Sequence, residues 1–190
     1  MKEKKCVVDT VDTEWFGNFI NKKNIKLDYK KLSKKFLSSY DVVILLAGYS
    51  SVKMCEGDMI GTFTNNVANF VHLLRKIQNQ VFIYASSSSV YGNTKKISVT
   101  EAYDRYYPAN YYDLSKKEID YYAQLSNVNY YGLRFGTVNG YSPNLRVDLM
   151  INKMYSDVKK SGVINIYNPG VNRPILGIRD LCNAVARIIE

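Results

Sequence analysis

Apolar residues fall into short continuous runs that alternate with helical stretches along most of the chain. The run at residues 42–48 closes on a small residue, and the run at residues 81–85 leads into four consecutive serines. Runs of this length are typical of strands buried on both faces of a parallel sheet. Between them, residues 62–77 carry apolar side chains at helical spacing. This alternation predicts an α/β fold built on a parallel sheet.

The same pattern predicts the remaining elements. We expect further strands at residues 5–9, 24–28, 129–135 and 163–167, and further helices at residues 29–40, 112–125, 148–159 and 179–189. The apolar side chains predicted to face the core from the helix at residues 62–77 are Phe63, Val67, Phe70, Val71, Leu74 and Ile77. The pattern of apolar and polar positions changes beyond residue 140. We therefore predict one compact domain in which residues 141–190 pack as a smaller region on residues 1–140.

The composition fits a folded protein of about one domain. The 190 residues are 46% hydrophobic and 23% charged, which excludes disordered and collagen-like chains. No apolar run approaches the roughly 18 to 20 residues of a membrane-spanning helix, and no signal peptide follows the charged start. We thus expect a cytoplasmic protein that does not bind a membrane. Three widely spaced cysteines and one histidine predict neither a disulfide framework nor a metal site.

The chain is basic, with 26 Lys and Arg residues against 17 Asp and Glu residues and a net charge of +9 at pH 7. Such an excess is compatible with phosphate-bearing ligands or with nucleic acid. Much of it is concentrated in residues 2–5 and 22–35, and a solvated lysine face explains that distribution more simply. The charge therefore does not favour nucleic acid as a partner.

Candidate chemistry lies just after the predicted strands, because ligands of open parallel sheets bind beyond the carboxyl ends of the strands. Ser87 follows the second apolar run, and Tyr112 and Lys116 open the next predicted helix. Residues four apart share one face of a helix, so the Lys116 ammonium can lower the pKa of the Tyr112 phenol toward neutrality. The same spacing occurs at Tyr91 and Tyr155, and only its position relative to Ser87 selects Tyr112.

Several motifs, in the same order along the chain, resemble the extended short-chain dehydrogenase/reductase family, the NAD-dependent nucleotide-sugar epimerases and dehydratases. The motifs are Ser-x-x-Val-Tyr-Gly at residues 87–92, Tyr-x-x-x-Lys at residues 112–116, Asn-Asn-Val at residues 65–67, the stretch at residues 133–140, and Arg-Pro at residues 173–174 followed by Ile-Arg-Asp at residues 178–180. The resemblance implies a Rossmann-like parallel sheet with flanking helices. It also implies NAD or NADP as cofactor, a nucleotide-sugar substrate and a possible homodimer.

The resemblance further implies roles for individual residues. The implied catalytic residues are Ser87, Tyr112, Lys116 and Asn66. Those implied to bind the cofactor are Asp9 at the adenosine ribose, Asp28 and Tyr29 beside the adenine, and Leu46, Ala47, Gly48 and Phe135 along its length. Those implied to bind the substrate are Ser88, Thr137, Arg146 and Arg173, the two arginines at its phosphates. For each arginine, a salt bridge at the surface is an equally good interpretation.

The sequence departs from the family at its beginning. Family members open with a strand and a Gly-x-x-Gly-x-x-Gly turn, whose backbone amides hold the cofactor pyrophosphate. The first glycine here is Gly17, and no three glycines of the chain have that spacing. The resemblance thus begins at the second strand, which predicts an N-terminally shortened sheet lacking its central strand. We expect cofactor binding by this chain alone to be weak or absent.

The end of the chain also comes earlier than in the family. Residues 1–140 would then form the cofactor-binding and catalytic region, and residues 141–190 only a partial C-terminal substrate-binding region. Either the chain is a naturally shortened relative or it is a fragment. Both interpretations leave the implied catalytic side chains in place.

Two functions from different classes follow. The first is an NAD(P)-dependent nucleotide-sugar epimerase or oxidoreductase with a Ser/Tyr/Lys site. The alternative, favoured by the absent glycine turn, is a non-catalytic Rossmann-like relative that binds nucleotide, nucleic acid or a protein partner. Family members that dehydrate sugars carry Asp-Glu directly after the catalytic Ser or Thr, where this chain has Ser88 and Ser89. Neither hydroxyl is an efficient acid or base at neutral pH, which favours epimerase or simple oxidoreductase chemistry.

Overall fold

The computed structural model describes residues 6–19, 24–92, 94, 98–103 and 107–190. The strands, in chain order, are β1 (Thr10–Asp12), β2 (Asn24–Lys26), β3 (Val42–Leu45), β4 (Val81–Ser87), β5 (Tyr130–Phe135), β6 (Thr137–Asn139) and β7 (Ile175–Gly177). The helices are α1 (Lys34–Leu37), α2 (Val52–Gly57), α3 (Met59–Thr62), α4 (Asn69–Leu74), α5 (Tyr111–Gln124), α6 (Met150–Ser161) and α7 (Ile178–Ile189). Short 3₁₀ turns lie at Tyr29–Lys31 and Ser88–Tyr91, and a π-helical turn at Phe63–Ala68 joins α3 to α4.

All strand pairs in the described part of the chain are parallel. The main sheet has the order β3-β4-β5, and its register places Ser87 opposite Phe135 at the carboxyl end. β1 pairs with β2, and β6 pairs with β7, as two separate two-stranded sheets. Parallel strands connected through helices confirm the predicted Rossmann-like α/β fold.

The core forms where α4 and α5 cover the main sheet. Phe70 of α4 packs edge-on against Tyr84 of β4, with the ring centroids 5.0 Å apart. Pairs in this geometry contribute roughly 0.5–1.5 kcal/mol beyond the burial of their area. From α5, Ile119 and Ala123 close the cluster. They share a helix face with Lys116, so the packing that fixes α5 also fixes the position of that lysine.

An interruption separates β1 from β3. Among the described residues, β1 pairs only with β2, and β3 pairs only with β4. Two contacts between residues that flank these strands connect the two parts of the chain. Before them, the Tyr40 hydroxyl donates to Asp9 Oδ2 at 2.8 Å; beyond them, the rings of Trp15 and Tyr49 lie 5.8 Å apart. The interruption is at the place where the sequence predicts that a central strand is lacking.

The structure corrects the N-terminal predictions. Residues 6–9 are irregular and residue 5 lies outside the described residues, so Asp9 precedes the first strand instead of ending it. The helix predicted at residues 29–40 is a 3₁₀ turn followed by the short α1. It is divided because Asp28 and Ser33 each accept a hydrogen bond from a backbone N–H and so begin separate turns.

Later predictions are confirmed or corrected in turn. The strands predicted at residues 81–85 and 129–135 and the helices predicted at residues 112–125 and 179–189 correspond to β4, β5, α5 and α7. Phe63 is 56% exposed and not on the inner face, because the π-helical turn changes the helical phase between α3 and α4. Residues 163–167 form no strand, and α6 begins two residues later than predicted. The strand of this region is β7, which the sequence pattern does not predict.

Candidate active site

Ser87 ends β4 and begins the 3₁₀ turn Ser88–Tyr91. Its side chain is buried, and its Oγ accepts a hydrogen bond from the Ser89 N–H at 3.2 Å. The two side-chain oxygens, Ser87 Oγ and Ser89 Oγ, lie 2.8 Å apart. Gly92 follows the turn at φ 60°, in the left-handed region that glycine adopts without strain. The turn therefore holds the Ser87 hydroxyl at a fixed position on the sheet end.

Tyr112 lies in the first turn of α5, which Asn110 caps by accepting the Asp113 N–H at 2.9 Å. Burial raises the pKa of the Tyr112 phenol, and a hydrogen bond with the Ser87 hydroxyl lowers it only in part. The prediction that Lys116 brings this pKa toward neutrality is therefore wrong for the ligand-free protein. Desolvation disfavours the phenolate, and it outweighs the lowering of the pKa by the Ser87 hydrogen bond and the Arg146 guanidinium.

Lys116 is buried beneath the same helix turn. Its Nζ donates to the Ala85 carbonyl oxygen at 2.8 Å and lies 5.9 Å from the centroid of the Tyr112 ring. Burial lowers the pKa of Lys116 to about 8, and the carboxylate of Asp120 opposes that shift. The lysine is thus charged at neutral pH but close to its titration.

Asn66 lies in the π-helical turn, behind the reacting groups. Its Nδ2 donates to the Tyr49 carbonyl oxygen at 3.0 Å and to Ser115 Oγ at 3.1 Å, while its Oδ1 accepts the Tyr49 N–H at 2.7 Å. Gly48 follows β3 at φ 141°, and a Cβ there would lie 2.9 Å from Asn66 Oδ1. Asn66 therefore ties the loop after β3 to α5. This geometry gives Asn66 a structural contact with both elements, and its implied catalytic role stays a prediction.

The candidate acid/base side chains line a cleft of about 1430 Å³ at the carboxyl ends of β3, β4 and β5. This is where ligands of an open parallel sheet bind. The sequence-predicted residues on the wall of the cleft are Leu46, Ala47, Gly48, Ser87, Ser88, Tyr112, Lys116, Phe135, Thr137, Arg146 and Arg173. The cleft thus gathers the candidate acid/base groups and both candidate phosphate-binding arginines.

The two arginines reach the cleft in different ways. Arg146 donates through Nε and Nη2 to the carboxylate of Asp148, at 3.1 and 2.6 Å, and through Nη1 to Ser50 Oγ at 3.0 Å. Arg173 is exposed and lies where β7 approaches β5. A Cβ on Gly136 would come within 2.7 Å of the Pro174 carbonyl oxygen, so glycine permits that approach. The salt-bridge interpretation thus describes Arg146 in the ligand-free protein.

The residues implied to bind the adenosine half of the cofactor do not line the cleft. The exposed Asp9 accepts the Tyr40 hydroxyl, and Asp28 caps a 3₁₀ turn and pairs with Lys30 at 3.2 Å. Tyr29 belongs to the core, and its hydroxyl donates to the Asn65 carbonyl oxygen. All three contribute to local structure, and their role at the adenosine half of the cofactor stays a prediction.

No binding role is predicted for Ser86 from the sequence. Ser86 lines the cleft, and its buried Oγ has no hydrogen-bond partner among the described residues. A buried hydroxyl without a partner is costly unless a ligand supplies one. With Lys116, it gives the wall polar groups that fit the nicotinamide half of a dinucleotide. The run of four serines indicates a polar lining of the cleft, but it does not indicate which of the four hydroxyls lies in that lining.

Two negative findings apply to the described ranges. Within them, no three His, Cys, Asp or Glu side chains are grouped so that they could hold a metal ion. None of the helices described is at once long and apolar enough to cross a membrane.

Comparison with known proteins places the chain in a family. The model of the NAD dependent epimerase/dehydratase family matches residues 7–190. Protein CapI of Staphylococcus aureus is 33% identical over 178 residues, covering 87% of this chain and 52% of its own length. A probable UDP-glucuronate 4-epimerase of Rhizobium meliloti is 28% identical, covering 80% of this chain and 46% of its own. The chain thus spans about half the length of these relatives.

A solved structure agrees with the sequence matches. The UDP-glucuronic acid 4-epimerase from Bacillus cereus, in complex with UDP-glucuronic acid and NAD, superposes with a TM-score of 0.74 at 26% identity. The superposition covers 88% of this chain and 55% of that enzyme. Since the family model spans nearly the whole chain, the protein belongs to the NAD dependent epimerase/dehydratase family.

Proposed function

We propose that the protein is an NAD-dependent 4-epimerase of a nucleotide sugar, with UDP-glucuronate as the first substrate to test. The observation that carries the proposal is the joint placement of Ser87, Tyr112 and Lys116 in one cleft, whose lining also includes Arg146 and Arg173. The relatives that are named UDP-glucuronate 4-epimerases support the choice of sugar.

In this mechanism Tyr112 accepts the proton of the sugar hydroxyl while the carbon that bears it is oxidised to a ketone. NAD, when bound, supplies the two-electron oxidant for that carbon and returns both electrons in the reverse step. Ser87 hydrogen-bonds the same sugar oxygen and orients it. Tyr112 returns the proton after the ketone has presented its opposite face, so the net change is inversion without net oxidation.

Burial raises the pKa of Tyr112, so the site must stabilise the phenolate when it forms. The Ser87 hydrogen bond and the Arg146 guanidinium both lower that pKa. Lys116 adds a buried cation 5.9 Å from the ring centroid. A ligand that displaces water from the cleft strengthens each of these interactions, because the local dielectric constant falls.

Incubation of the chain with UDP-glucuronate and millimolar NAD tests the proposal. We expect chromatography to show the C4 epimer. Ser88 and Ser89 are neutral hydroxyls, and Ser89 is already bonded to Ser87, so we expect neither of them to remove a proton at C5. UDP-glucuronate carries a carboxylate at C6, so dehydratase chemistry is tested with UDP-glucose, whose C6 hydroxyl can leave as water. Release of a 4-keto-6-deoxy sugar nucleotide from UDP-glucose would contradict the proposed reaction.

We also expect weak dinucleotide binding. The chain lacks the glycine turn that gives pyrophosphate several backbone hydrogen bonds, each worth roughly 1.5 to 3 kcal/mol to a charged group. Two such losses weaken affinity roughly 10²- to 10⁴-fold. Calorimetry with NAD should therefore give a dissociation constant well above the micromolar range. Low-micromolar binding would mean that another segment replaces the turn.

A further inference from the structure

A polar network behind the reacting groups joins α5 to both neighbouring strands. The carboxylate of Asp120 accepts the Tyr84 hydroxyl on Oδ1 at 2.9 Å and the Arg134 Nε–H on Oδ2 at 2.9 Å. Arg134 Nη1 continues the network to the Tyr91 hydroxyl at 3.1 Å and to the Glu101 carbonyl oxygen at 2.9 Å. The proposed mechanism assigns no role to these side chains.

The network is shielded from water, which makes its geometry well defined. The side chain of Asp120 is 11% exposed and that of Arg134 is 26% exposed. On β5, a Cβ at Gly132 would overlap the Tyr84 hydroxyl, so this glycine leaves room for the bond to Asp120. A charge-assisted pair in such a setting is screened less than a surface pair and holds both partners firmly.

The network ends on the two elements that carry the reacting groups. Tyr91 is the last residue of the 3₁₀ turn that Ser87 begins, and Asp120 lies on α5 at a spacing of four from Lys116 and eight from Tyr112. Residues at those spacings share one face of a helix. Arg134 therefore spans the space between the serine turn and the tyrosine helix.

We propose that Arg134, together with Asp120 and Tyr91, is a positioning residue that fixes the Ser87 turn relative to the helix of Tyr112 and Lys116. Its relevance to catalysis rests on the proposed epimerase function. The planar guanidinium suits this role because Nε serves one element while Nη1 serves another. Its carbon Cζ also lies 5.0 Å from the centroid of the Tyr91 ring, which adds a cation–π contact.

We call the contacts of Arg134 with Asp120 and Tyr91 the tether. Amide hydrogen exchange tests the tether without requiring turnover. The Gly92 N–H donates to the Ser89 carbonyl oxygen at 3.0 Å, so its exchange rate measures the stability of the turn. The Phe82 N–H, at the far end of β4, donates to the Asn129 carbonyl oxygen at 2.9 Å and measures the stability of the sheet. Arg134→Lys keeps the charge but loses the planar guanidinium that donates to two elements at once. In this variant we expect amide exchange at Gly92 to be about tenfold faster and amide exchange at Phe82 to be unchanged. Asp157→Asn is the matched control, because it breaks an exposed ion pair with Lys153 on α6.

Two outcomes of this measurement overturn the tether. One is unchanged exchange at Gly92 in Arg134→Lys. The other arises only if Arg134→Lys loosens the whole fold, which faster exchange at Phe82 would show. In that case Tyr91→Phe, which removes only the hydroxyl, is measured, and unchanged exchange at Gly92 in Tyr91→Phe contradicts the proposal.

Kinetics test the consequence for catalysis. With UDP-glucuronate and NAD, we expect Arg134→Lys to lower kcat roughly ten- to hundredfold with KM changed less than about twofold, because misplacement of reacting groups affects the chemical step. A kcat equal to that of the wild type, together with a loosened turn, would show that the tether is not catalytic. A wild-type chain without turnover refutes the epimerase function, and the exchange result then still decides the tether.

Discussion

Replacing Tyr112 by phenylalanine lowers turnover roughly 10²- to 10⁴-fold, while the free energy of unfolding changes by less than about 1 kcal/mol. The substitution removes one hydroxyl and leaves the ring to pack as before. Tyr112 lines the cleft, and its hydroxyl hydrogen-bonds with the Ser87 side chain. Steady-state kinetics at the highest practicable NAD concentration and chemical denaturation measure the two effects.

Tyr155→Phe is the matched control for this experiment. On α6, Lys159 Nζ lies 5.8 Å from the centroid of the Tyr155 ring, almost the distance that separates Lys116 from the Tyr112 ring. Tyr155 does not line the cleft, and it is 64% exposed. The control variant should keep full turnover. Full turnover in Tyr112→Phe would refute the assignment of the acid/base group.

Replacing Lys116 by methionine stabilises the fold at pH 7 and inactivates the enzyme. Burial lowers the pKa of Lys116 from 10.5 to about 8, so protonation of the folded protein costs roughly 3 kcal/mol relative to the unfolded chain. Methionine removes that cost but leaves the Ala85 carbonyl without its donor, a loss of about 1 kcal/mol. We expect a net gain of about 2 kcal/mol in the free energy of unfolding.

The gain depends on pH in a defined direction. Between about pH 8 and pH 10.5 the unfolded chain binds more protons than the folded one, so wild-type stability rises with pH across that window. The advantage of Lys116→Met should therefore be complete below about pH 8 and gone near pH 10.5. Urea denaturation at pH 7 and pH 10 measures it, with Lys153→Met at an exposed site as the control. An equal advantage at both pH values would contradict the burial of a titrating lysine.

The sequence was sufficient to predict the main sheet and the order of the reacting groups. The runs that form β3 and β4 are short and continuously apolar, a pattern typical of strands buried in a parallel sheet. β4 is buried as expected, whereas Ile44 of β3 is 42% exposed. Tyr112 and Lys116 follow β4 on a capped helix, so their place beside Ser87 is a direct result of topology. The comparison with the family confirms this fold.

Other features depend on contacts that are distant in sequence. The pKa of Tyr112 is set by how deeply α5 packs, which no spacing of charged residues reveals. β7 is three residues long and exists because the Thr137 N–H meets the Pro174 carbonyl oxygen at 2.8 Å. In the sequence, Asp120 and Arg134 cannot be distinguished from ordinary surface charges, because only the fold brings them together as a pair. Long-range pairing of this kind leaves no local pattern.

The interruption between β1 and β3 has a consequence for the behaviour of the chain in solution. Along β3 and the residue after it, Ile44 and Leu46 are 42% and 60% exposed, and residues 42–46 include no charge and no proline. Natural sheets protect an open edge with such residues, because unpaired amides and carbonyls otherwise template the addition of foreign strands. The chain therefore carries an aggregation hazard at its most apolar strand. Aggregation should therefore increase steeply with protein concentration, although the net charge of +9 contributes repulsion between molecules.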